Sequence, residues 1–121
     1  MVFLNRMIIS SVTISLNGST IGYGNVHMGT DSATATTTAI SSGGACVAAV
    51  TYKFGFGSST YIVSSPDNSA PSSSVTAYSH AAINGTTWYS VTNIGALGEH
   101  IVVTPYGDSK SAVTTEGESI Y

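Results

Sequence analysis

Cys46-Val47-Ala48-Ala49-Val50-Thr51-Tyr52-Lys53-Phe54-Gly55-Phe56-Gly57 alternates with a period of two: Cys46, Ala48, Val50, Tyr52, Phe54 and Phe56 fall on one side, and Thr51, Lys53, Gly55 and Gly57 close the other. Successive side chains of a strand point to opposite faces, so the pattern describes a strand with one buried face. Lys53 sets the register, because only the even positions can enter a core without carrying a lysine inside. Each large side chain on that face contributes about 1.5–3 kcal/mol on burial, which makes this segment the expected spine of the core. Cys46, the chain's one cysteine, shares the apolar face. It cannot form an internal disulfide and reads as a small buried hydrophobe.

Outward from the spine the chain is punctuated by turns. Asn17-Gly18 and Asn84-Gly85 each sit between β-rich flanks, and Asn-Gly tolerates the two positive φ angles of a type I′ hairpin. A regular ladder from the first turn sets Leu16 against Ser19, Ile14 against Ile21 and Val12 against Tyr23. From the second it sets Ala81 against Trp88, His80 against Tyr89 and Tyr78 against Val91. Both dipeptides also match the glycosylation sequon, with Ser19 and Thr86 at the third position, although the turn chemistry already accounts for the asparagines. Further strands are expected at Thr34 to Ile40, Thr60 to Val63 and His100 to Thr104. A surface loop is expected over Asp67 to Ser74, and at most a short helical turn near Val91 to Leu97. About eight short, mainly antiparallel strands at frequent turn spacing predict an all-β, single-domain β-sandwich of jelly-roll-like character over residues 12–121, preceded by an N-terminal arm or strand at 1–11.

Charge is scarce. Three Lys or Arg and six Asp or Glu make 7% of the chain, against about a quarter in ordinary globular proteins. No charged residue lies between Ser32 and Tyr52 or between Asn68 and Gly98. Serine and threonine supply the polar surface instead, and hydroxyls exert no long-range repulsion, so two such surfaces can meet without desolvating ions. With a net charge of −3 and Arg6, Lys53 and Lys110 as its basic residues, the chain is a poor partner for nucleic acid or anionic lipid. No apolar run is long enough to span a bilayer as a helix, so membrane insertion is not expected. Met1 to Leu16 is interrupted by Ser10, Ser11, Thr13 and Ser15 and reads as structure rather than a signal peptide.

Motifs of chemistry are missing. There is no G-x-S-x-G elbow, P-loop or H-E-x-x-H, and Gly22-Tyr23-Gly24 lacks the rest of a dinucleotide fingerprint. His27, His80 and His100 show no metal-ligand spacing. No catalytic residue, metal or cofactor is expected, and a secreted hydrolase ranks third among the functions considered. Thr34 to Thr38 reads as a solvent-facing strand rather than part of a regular threonine array.

The leading expectation is a structural, self-assembling subunit of an extracellular filament, appendage or virion-like particle, a homo-oligomer or polymer whose partner is itself. Its connector would be the apolar arm, with Val2, Phe3, Leu4, Ile8 and Ile9 donated as a strand to a neighbouring subunit's sheet. The alternative is a small carbohydrate-binding, lectin-like module. Aromatic faces stack on pyranose rings while neighbouring hydroxyls read the sugar hydroxyls, and Tyr78, His80, Trp88 and Tyr89 are its candidate platform.

Overall fold

The computed structural model describes residues 10–40, 44–65, 68–70 and 74–120. The arm residues Val2, Phe3, Leu4, Ile8 and Ile9 lie outside them. The described residues form eleven strands: β1 Ser11–Leu16, β2 Ser19–Gly29, β3 Ser32–Ala39, β4 Ala45–Phe56, β5 Ser59–Ser64, β6 Asn68–Ala70, β7 Ser74–His80, β8 Ala82–Ile83, β9 Thr86–Thr87, β10 Thr92–Val103 and β11 Ser109–Gly117. Eight of these run to six residues or more, matching the number expected from the turn spacing. A front sheet of order β1-β2-β3-β7 packs on a back sheet of order β11-β10-β4-β5, with β6 also on β4 and β8-β9 as a separate small hairpin. Every pairing is antiparallel, and the fold is a β-sandwich.

β4 is the spine. Cys46, Ala48, Tyr52 and Phe54 have no exposed surface and Val50 has almost none, while Lys53 lies on the opposite face. Phe56, expected on the buried face, is 48% exposed. It is the last residue before the Gly57 turn, where the facing sheet no longer covers it, and its ring rests on Trp88 with centroids 4.9 Å apart. Large side chains on the back sheet meet small ones on the front: Tyr52 and Phe54 share a cluster with Ala33, Ala35, Ala77 and Ala81. Complementary sizes of this kind fill the space between two sheets without voids.

Both Asn-Gly turns form as expected, with φ of 51° and 82° at Asn17 and Gly18 and of 52° and 81° at Asn84 and Gly85. The ladders beyond them differ from a regular hairpin. Leu16 does face Ser19, but Ile14 faces Gly22 and Val12 faces Gly24, with a bulge that leaves Ile21 as the extra residue. A bulge lets two successive residues point inward. Ile21 and Gly22 are both buried, and Tyr23 is thereby turned to solvent. In the second hairpin the ladder stops where the Trp88 N–H donates to the Ala81 carbonyl. Tyr78 and His80 pair instead with Thr34 and Ser32 on β3, so the expected His80–Tyr89 and Tyr78–Val91 pairs do not form. The region near Val91 to Leu97 is strand, not a helical turn, because β4 supplies a ladder for β10 as far as Thr92. Within the expected loop after Asp67, residues 68–70 run as β6 along Cys46–Ala48.

A polar belt crosses the sandwich between two apolar clusters. Val26, Ala35, Ala48 and Ala96 belong to one cluster, and Ile21, Ala39, Cys46 and Val102 to the other. Between them on their strands lie Gly24, Thr37 and His100. The His100 ring is 1% exposed and bonded at both nitrogens, Nδ1 to Thr37 Oγ1 at 2.8 Å and Nε2 to Thr114 Oγ1 at 2.7 Å. The Thr37 hydroxyl donates to the Val47 carbonyl, so it must accept from Nδ1–H. That leaves Nε2 to accept from Thr114, and the neutral imidazole is satisfied on both sides. Burial lowers the His100 pKa from 6.5 to about 4. Gly24 makes room for the ring, since a Cβ there would stand 2.6 Å from it.

Candidate functional site

Tyr78, His80, Trp88 and Tyr89 converge. Together with Thr30, Asp31 and Thr87 they line an open cleft of about 390 Å³ at the end of the front sheet. Two separate elements bring them there. The alternation of β7 sends Tyr78 and His80 outward, both exposed, while Ala77 and Ser79, at the alternate positions, are buried. The two rings lean on each other with centroids 6.0 Å apart. The segment after β9 supplies Trp88 and Tyr89 from the other side.

The opposing wall is held by its own chemistry. Trp88 stands edge-on to Phe54 and Tyr61, with centroids at 6.1 and 4.8 Å, so its ring is anchored in the back-sheet aromatic cluster and forms fixed wall. Tyr89 is 73% exposed and presents its ring to the cleft. Its backbone is fixed by Asp31, whose carboxylate oxygens accept from the N–H groups of Ser90 at 3.0 Å and Val91 at 2.9 Å. Ser90 has a φ of 59°, and successive N–H groups on such a backbone form a concavity that suits an anion. Asp31 also receives the Ala81 N–H on its backbone carbonyl. One residue in the β2–β3 turn thus grips both legs of the β8–β9 excursion and holds them apart.

Deeper down, the Tyr52 hydroxyl donates to Asn93 Oδ1, and Asn93 Nδ2 donates to the Gly29 carbonyl at 2.7 Å. Burial, with the negative charge of Asp31 and the nearby Tyr78 adding to it, pushes the Tyr52 pKa up to about 12. The phenol stays protonated and works as a donor that ties the spine to the β2–β3 end.

The cleft opens onto a neutral plain. Outward positions of the front sheet carry Thr13, Tyr23, Asn25, Thr34, Thr36 and Thr76, and the Thr36 and Thr76 hydroxyls meet at 3.3 Å. Threonine therefore recurs on adjacent strands, which the single segment Thr34 to Thr38 does not reveal by itself. At the sheet's end His27 lies 3.7 Å from Glu116, whose other carboxylate oxygen accepts the Met28 N–H. Among the described residues no three of His, Cys, Asp or Glu gather in a metal-binding arrangement.

All four platform residues named from the sequence reach one site, although the hairpin register used to group them is not the one that forms. Asp31 is the residue that sequence reasoning missed. Its signal was its isolation, as the acid that borders a charge-free run of twenty-one residues from Ser32 to Tyr52. No family model, curated protein or solved structure matches this chain.

Proposed function

We propose that this β-sandwich is a carbohydrate-binding module that takes a neutral glycan in the Tyr78–Tyr89 cleft. The observation that carries the reading is the meeting of two exposed tyrosine rings, a histidine and two threonine hydroxyls around one open cleft. Stacking on the tyrosines would hold the apolar face of a pyranose, and Thr30, Thr87 and His80 would read its hydroxyls. No Lys or Arg is among the described residues that line the cleft, and the net charge of −3 disfavours an acidic ligand. Binding suits the site better than hydrolysis. Glycoside cleavage generally needs a pair of carboxylates, and among the described residues the lining offers Asp31 alone, already occupied by two backbone N–H groups. A glycan-binding role accords with an extracellular or particle-surface setting.

The test is a panel of neutral oligosaccharides titrated calorimetrically into the full chain. Tyr78→Ala and Tyr89→Ala should each weaken the best binder by about threefold to tenfold, the worth of an aromatic contact. Both side chains are exposed, so circular dichroism should be unchanged. A panel that yields no binder, or a binder indifferent to both substitutions, sinks the reading.

Self-assembly is kept as a second reading because one further feature favours it. The outward face of the back sheet exposes large apolar side chains among its serines and threonines, with Ile62, Ile101 and Val113 between 38% and 58% exposed.

A further inference from the structure

We infer that the outward face of the back sheet is a two-fold docking surface for a second copy of this chain. The inference rests on the self-assembly reading and is independent of the glycan cleft. Ile62 on β5, Ile101 on β10 and Val113 on β11 all point out from this face at 45%, 38% and 58% exposure. Between them the outward positions of β4 and β10 carry Val47, Ala49 and Leu97, each only partly covered. These apolar side chains share the face with the hydroxyls of Ser64, Ser111 and Thr115, and exposed apolar side chains gathered on one face favour association. A pleated sheet face is a surface that another sheet can pack against.

The charges on the face choose the partner. Among the described outward positions of its strands, Lys53 is the one cation and Glu99 the one anion. Lys53 faces Gly95 across the β4–β10 ladder, and Glu99 lies four residues further along β10, opposite Ala49. At roughly 3.3 Å per residue their backbones are offset by about 13 Å along the strands. Neither forms an ion pair with another described residue. Halfway between their levels is the rung where Leu97 faces Thr51. A two-fold axis lying in the interface and crossing the strands at that rung brings Lys53 of each copy to the level of Glu99 of the other. The face is thereby complementary to itself, which is the condition for an isologous contact. The scarcity of other charge leaves little to oppose it.

Sedimentation velocity of the full-length chain over a range of concentrations tests this. The unaltered chain should associate to a dimer. Lys53→Glu and Glu99→Lys should each weaken the association by about tenfold or more through like-charge contact, and the double exchange K53E/E99K should restore most of it. Val113→Glu should leave a monomer with an unchanged circular dichroism spectrum. A chain that is monomeric throughout defeats this surface and the self-assembly reading together. Association that ignores all these changes overturns the surface while leaving self-assembly standing, and a double exchange no better than either single one overturns the two-fold register.

Discussion

Phe54 has no exposed surface and meets three other rings, Tyr52, Tyr61 and Trp88, with centroids between 5.3 and 6.1 Å. It ties the core to the wall of the candidate cleft. Phe54→Ala should cost about 3–5 kcal/mol, measurable as a lowered urea midpoint at unchanged slope, because the cavity it leaves faces rings that cannot collapse into it. The residue's burial was legible from alternation alone, since Lys53 beside it fixes which face turns in. Phe56, two positions on, follows the same alternation and escapes burial. Alternation specifies the side on which a residue lies but not where the opposing sheet ends. Asp31 was hidden for a different reason. Its role depends on the N–H groups of Ser90 and Val91, sixty residues away in sequence, and local chemistry carries no trace of such a partner.

At the scale of elements, the Asn-Gly turns were readable because their φ requirement is local. The bulge at Ile21 was not, since it answers to what lies across the sandwich: it places Gly24 over the His100 ring. The belt of Thr37, His100 and Thr114 ties the front sheet to the back with every ring nitrogen satisfied, and it makes folding sensitive to pH. His100 is neutral when buried, with its pKa lowered from 6.5 to about 4, whereas in the unfolded chain it charges below about 6.5. Between these values the unfolded state binds the extra proton. Stability from this group is therefore complete above pH 6.5 and declines as pH falls towards 4, by at most about 1.4 kcal/mol per pH unit. Urea midpoints taken at pH 7 and pH 4.5 should fall in the unaltered chain, and His100→Gln should flatten that part of the fall while lowering stability at both. An equal decline in the variant would show that other groups are responsible.

For the whole molecule, the two faces of one sandwich differ in composition. The front sheet turns hydroxyls, an amide and tyrosines outward and ends in the aromatic cleft, while the back sheet sets Ile62, Leu97, Ile101 and Val113 outward among serines and threonines, with one lysine and one glutamate among its described outward positions. This division was invisible in the sequence as a whole, where the low charge reads as one uniform property. It emerges once strand parity assigns each residue to a layer. On the function proposed above, the cleft between β7 and the segment after β9 is the ligand site. The most direct test is amide chemical-shift mapping by NMR while the best neutral oligosaccharide is titrated into the full chain. The shifts should concentrate at Asp31, Tyr78, His80 and Thr87 to Val91 and leave the outward face of the back sheet unmoved. Shifts centred anywhere else, or none at saturating sugar, would contradict it.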